Sequence, residues 1–172
     1  MDRIADFYKV SSAIFTDEAI SSLGLEKDKA GQAYNDIKLP KRATSGSAGY
    51  DFYAPVDLTI EPGETVKVPT GIRARMDEGW VLMIFPRSGL GFKYRLMLDN
   101  TVGVIDSDYY NSDNEGHIMI KVTNLSGAGT NPGKTIEIKA GQGFAQGVFL
   151  PFGITTDDDT EGLRNGGLGS TG

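Results

Sequence analysis

Tyr50 to Arg75, YDFYAPVDLTIEPGETVKVPTGIRAR, decides the fold. Apolar β-branched and aromatic residues recur through 50–60 and again through 64–75, which are the compositions of pleated strands. Between them Glu61-Pro62-Gly63-Glu64 carries the proline and glycine of a tight turn. The same texture continues outward. Residues 79–85, 117–123, 134–138 and 144–152 read as further strands, separated by Pro-Gly or Gly-rich breaks. Many short strands with closely spaced turn signals imply an all-β sandwich or closed barrel and not a βαβ sheet. Residues 3–12 read as a first strand. Helix is scarce: the spacing predicts one over Thr16–Leu23, with Thr16 as N-cap, Asp17 and Glu18 in the first turn and Gly24 after the end. The polar run EKDKAGQAYND that follows reads as a surface excursion, so 13–36 is an insertion before the chain returns at Ile37.

The totals bound the class. At 172 residues one domain with a working core is expected. Hydrophobic residues make up 39% and charged residues 23%, an ordinary globular composition. No apolar run approaches the roughly 20 residues of a membrane-spanning helix. The opening MDRIADFYKV lacks the apolar core of a secretory signal, and cysteine is absent, so a cytoplasmic protein without disulfides or thiolate metal sites is expected. The net charge of −6 argues against nonspecific nucleic-acid binding. It leaves room for a small anionic ligand, which needs only a few local cations, backbone N–H groups or a divalent metal.

Three stretches carry candidate chemistry. GVIDSDYY, residues 103–110, runs from apolar residues straight into Asp106, Asp108 and two phenols. On an extended strand the two carboxylates share a face; in a hairpin one can enter a cleft while the other bonds nearby backbone. From spacing alone an ordinary polar turn is the better account, since acids are commonplace in turns. Pro86-Arg87-Ser88-Gly89-Leu90-Gly91-Phe92-Lys93 presents a guanidinium, a hydroxyl and a glycine in a row, a compact set for receiving phosphate or else a plain strand-to-turn connection. It is not a P-loop, because its lysine spacing is wrong. Gln146 lies among apolar neighbours and needs partners if buried. The single histidine, His117, reads as structural, and with no second histidine and no cysteine an imidazole zinc cluster is not expected. The ending GLRNGGLGSTG is either a loose terminus or a tail that orders when something docks beneath it.

In order, Ala48-Gly49-Tyr50-Asp51, Pro86–Leu90, Asn100–Tyr109, Gly143–Gln146 and Arg164–Gly172 closely resemble the five ordered motifs of the trimeric deoxyuridine triphosphate nucleotidohydrolases, the dUTPases. The resemblance spans 37–172 and leaves the amino-terminal excursion outside. It implies a jelly-roll-like β domain over 1–163, a Gly-rich closing arm over 164–172, and a homotrimer whose active sites are shared among chains. It implies hydrolysis of dUTP to dUMP and pyrophosphate, limiting uracil in DNA and supplying dUMP for thymidylate synthesis. Asp106 would hold the attacking water. Asn100 with the backbone at Val104 and Ile105 would read uracil, Tyr109 would lie against the deoxyribose, and Met119 would add a substrate contact. Arg87, Ser88, Gly89 and Gln146 would grip the triphosphate. Arg164, Leu168, Gly169, Ser170 and Thr171 would close over it. Mg²⁺ would be chelated by phosphate oxygens and waters, with Asp51 at most in an outer shell.

The chain departs from the family pattern in three places. Leu168 stands where an aromatic usually stacks on the base, so a Leu168→Phe variant is expected to lower KM. Residues 110–114 lengthen the turn after Tyr109, and Phe144 replaces an aliphatic residue. A deoxycytidine triphosphate deaminase is the nearest rival, with Glu115 as the glutamate near the central motif. A binding role, in which 13–36 contacts a regulatory protein partner, is compatible with either activity.

Overall fold

The structure, a computed structural model, describes residues 2–129 and 132–162. Twelve strands among them form four sheets around one core. The largest sheet has the order β2 (Lys41–Arg42), β3 (Tyr50–Tyr53), β12 (Gly143–Pro151), β7 (Trp80–Pro86), β9 (Gly103–Ile105). β5 (Thr65–Pro69), β10 (Met119–Asn124) and β8 (Leu96–Leu98) form a second sheet. β1 (Ala5–Lys9) pairs with β6 (Ile72–Met76), and β11 (Ile136–Ile138) with β4 (Leu58–Ile60). Every pairing is antiparallel.

Alternation fills the core. Leu82 and Ile84 of β7, Val68 of β5, Ile120 and Val122 of β10 and Ile136 and Ile138 of β11 all point inward with Phe52 and Phe144. Burial of that apolar surface is the main stabilising term, about 25 cal/mol per Å² removed from water. The run read as one strand over 50–60 is broken at Pro55, which cannot donate to a ladder. The run over 64–75 is interrupted at Thr70-Gly71 and yields β5 and β6, which join different sheets.

The insertion is more ordered than its polarity suggests. α1 (Ser12–Leu23) starts four residues before the expected position: Ser11 is the N-cap, its Oγ accepting the Ile14 N–H at 3.3 Å, while Thr16 is buried inside the helix. EKDKAGQAYND is no loose excursion but α2 (Lys27–Asp36). Its apolar face consists of Ala30 and Ala33, packed with Phe15, Ala19 and Val10 in a small satellite core. Lys9 Nζ donates to the carbonyls of Tyr34 and Asn35 at 3.0 and 3.2 Å, capping the end of α2 with a cation. α1 is also tied to β5 by a Glu18–Lys67 ion pair.

Candidate active site

One half of the site is built on the centre of the large sheet. Asp51 of β3 lies directly across from Gln146 of β12, which in turn faces Phe85 of β7. Two residues beyond Phe85, where the same face continues, Arg87 leaves the strand and serves as the N-cap of α3 (Ser88–Tyr94). The stretch read as a phosphate-receiving set or else a plain strand-to-turn connection is a short helix. Arg87 Nε stands 3.3 Å from Asp51 Oδ1, and its Nη1 donates to the Gly143 carbonyl at 3.3 Å. Ser88 and Gly89 open α3, where backbone N–H groups have no preceding turn to bond. A cleft of about 450 Å³ lies here, lined by Arg87, Ser88, Gly89, Lys93, Gln142 and Gly143 among others. Two cations, a hydroxyl and helix-start amides outnumber the one carboxylate of the lining, Glu137, and suit the cleft to an anion. Gly49 lies close against Gln146, outside the lining of that cleft: a Cβ there would sit 2.6 Å from Gln146 Oε1. Lys93 and Gln142 had not been singled out as ligand contacts; the lysine ends the same Arg87–Lys93 stretch.

The other half grows from β9. Along it Gly103 and Ile105 face the core while Val104 is 54% exposed. Asp106 keeps the extended backbone (φ −78°, ψ 159°) and caps a 3-10 turn over Ser107–Asn111, its carbonyl accepting the Tyr109 N–H at 3.2 Å. Asp106 is half-buried. Asp108, inside the turn, is exposed, so the two carboxylates do not share a strand face. Asn100 is exposed in the preceding loop, and Met119 is half-buried at the start of β10 opposite Pro69.

Tyr109 is only 2% exposed and belongs to the main core. Its Oη donates to the His117 carbonyl and accepts from Asn114 Nδ2, both at 2.8 Å. The lengthened turn therefore folds back and holds the phenol, which leaves little of the ring's surface for a sugar. Asn114 had carried no assignment, because nothing in its spacing marks it. His117 itself is structural. Its Nε2 accepts the Gly71 N–H at 2.9 Å, and burial lowers its pKa to about 4. With Nε2 accepting, the neutral ring carries its proton on Nδ1, which is buried without a partner.

The two halves are not adjacent within one chain. β7 pairs Leu82 with Ile105 and Ile84 with Gly103, so Asp106 continues that register opposite Val81, at the end of β7 away from Arg87. Six residues of strand separate the two positions, about 20 Å at roughly 3.3 Å per residue. Arg164, Leu168, Gly169, Ser170 and Thr171 lie outside the described residues. Among the described residues no cluster of three or more His, Asp or Glu side chains is placed to hold a metal ion, and no helix is long and apolar enough to cross a membrane.

Fold and cleft together define an all-β protein with an anion-suited cleft beside its central sheet and a half-buried carboxylate at the far end of the same strand. The chain belongs to the dUTPase family, whose model matches residues 35–172. The deoxyuridine 5'-triphosphate nucleotidohydrolase of Lactococcus lactis is 42% identical over 139 residues, covering 79% of this chain and 89% of the relative. That of Desulfitobacterium hafniense is 44% identical over 156 residues, covering 86% and 92%. The crystal structure of dUTPase from Streptococcus mutans superposes with a TM-score of 0.63 at 37% identity, over 87% of this chain and 97% of that one. A dUTPase of Staphylococcus aureus phage phi11, described with a structural Mg(II) ion, shares the fold at 19% identity and a TM-score of 0.63.

Proposed function

We propose that the protein hydrolyses dUTP to dUMP and pyrophosphate, which keeps uracil out of DNA and supplies a thymidylate precursor. The observation that carries this reading is the family match over 35–172, which contains every candidate residue of both halves of the site. Asp106 accepts a hydrogen bond from a water and orients it toward the α-phosphorus, in line with the departing pyrophosphate. A half-buried carboxylate on a capped turn is suited to that work, since its backbone is fixed before substrate arrives. Arg87, Ser88, Gly89 and Gln146 hold phosphate oxygens. Asn100 and the Val104–Ile105 backbone meet the polar edge of uracil, and Met119 packs nearby. Tyr109, almost wholly buried within the chain, backs the deoxyribose subsite and leaves no room for a 2′-hydroxyl. Arg164 and the segment Leu168–Thr171 close over the triphosphate.

The separation of Arg87 from Asp106 supports a site assembled between copies of the chain, in a homotrimer. Mg²⁺ bound with the triphosphate would neutralise part of its charge. Asp51, already ion-paired with Arg87 at 3.3 Å, is suited to bond a metal-bound water and not the metal. A cytoplasmic location fits an enzyme of the nucleotide pool.

Pyrophosphate release from dUTP, dTTP and UTP, measured side by side, tests the reading. Hydrolysis of dUTP in preference to the other two is expected, and equal rates on all three would remove it. Asp106→Asn should abolish turnover while dUTP still binds. The deaminase alternative loses its acid, because the Glu115 carboxylate accepts the Ser11 N–H at 2.6 Å. No ammonia should be released from dCTP.

A further inference from the structure

Two regions bear on the part of the chain that the family resemblance does not cover: the residues before the family match at 35, and the turn 110–116, whose residues 110–114 are read above as lengthening the family's pattern. They touch. The Glu115 carboxylate accepts the backbone N–H of Ser11, the N-cap of α1, at 2.6 Å. Hydrogen bonding from Ser11 holds the Glu115 carboxyl below the usual carboxylate range. Arg73 of β6 stacks its guanidinium 3.6 Å from the Tyr110 ring centroid and donates to the Tyr110 carbonyl, and Tyr8 of β1 packs on the same ring at 6.1 Å. On the other side the turn grips the 3-10 element. Asn114 donates to Tyr109 Oη, and the Ser112 hydroxyl donates to the Tyr109 carbonyl at 2.7 Å.

The turn is also conformationally committed. Glu115 has φ +59°, a left-handed backbone unusual for glutamate. A strained residue of this kind persists where its surroundings over-determine it. Gly116 follows at φ +68°, and a Cβ there would sit 2.7 Å from both the Tyr109 carbonyl oxygen and the Tyr110 Cα. A surface turn needs none of this. A brace does.

We infer that Glu115 is a positioning residue: by anchoring the 110–116 turn to the amino end of α1, it makes the helical insertion part of the apparatus that holds Asp106 and Tyr109 in register. The inference rests on Asp106 being the residue that orients water. It assigns the insertion a role inside the enzyme, distinct from contact with a partner protein.

Glu115→Ala removes the acceptor. Ser11→Pro removes the donor, and the Ser11 backbone at φ −61° already accommodates proline. It also removes the Oγ cap on the Ile14 N–H, so Ser11→Ala, which loses the cap but keeps the backbone donor, is its control. Glu115→Ala and Ser11→Pro should each lower kcat for dUTP on the order of tenfold by loosening alignment. KM should stay within about twofold, the mark of an interaction felt mainly in the transition state. Glu115→Gln keeps an acceptor oxygen and should recover most of the rate, and the double variant should lose no more than either single one. Amide exchange across 106–111 should rise in both single variants, whatever their activity. Unchanged exchange there, or strictly additive losses in the double variant, would overturn the brace. Wild-type protein that failed to hydrolyse dUTP, while the variants still showed the exchange change, would instead remove the assignment of Asp106 and leave the brace standing.

Discussion

His117 illustrates how a single buried side chain can govern behaviour without touching substrate. Burial lowers its pKa from 6.5 to about 4, so the folded protein favours the neutral ring while the unfolded chain takes up a proton first. Stability is therefore complete above about pH 6.5 and is lost as pH falls toward 4, by at most about 3 kcal/mol from this group. Thermal melts between pH 7 and pH 4.5 should show that slope, and His117→Gln should flatten it. Gly49 makes a different case. Alanine there would displace the flexible end of Gln146 and leave the core alone. Gly49→Ala should thus reduce dUTP turnover while shifting Tm by only a degree or two, a change under about 0.5 kcal/mol.

At the scale of elements, α2 depends on close packing of small side chains. Ala33→Leu should destabilise the protein by about 1–3 kcal/mol, because the added carbons meet Phe15 and Ala19 with nowhere to go. Urea unfolding would measure it. The same helix explains what the sequence could and could not disclose. The long strands were legible: β-branched and aromatic residues dominate β7, and Phe144, Val148 and Phe149 mark β12. α2 was not, since its buried face holds only alanines in a polar run, too faint for periodicity to register. α3 was hidden by Gly89, Gly91 and Phe92, poor helix formers that the strand end at Arg87 and the packing of Leu90 and Tyr94 hold in place. β8 and β9, three residues each, fall below what a pattern can mark. For the site, motif order located Asp51, Arg87, Asp106 and Gln146. The embrace of Tyr109 by Asn114 and the Glu115–Ser11 contact, 104 residues apart in sequence, required the fold.

For the whole molecule the decisive relation is the length of β7 between Arg87 and Asp106. Protein carrying Arg87→Ala and protein carrying Asp106→Asn should each be inactive. Refolded together in equal amounts they should regain about a quarter of the wild-type rate, since random assembly gives one shared crevice in four both intact groups. Sedimentation should report trimers in all three preparations, and no recovery in the mixture would place both groups in one chain's site. The arrangement also bears on inheritance. In the shared-site trimer proposed above, a subunit lacking both groups would spoil every crevice it borders, so that when sound and defective copies are made together the harm would exceed the share of faulty chains.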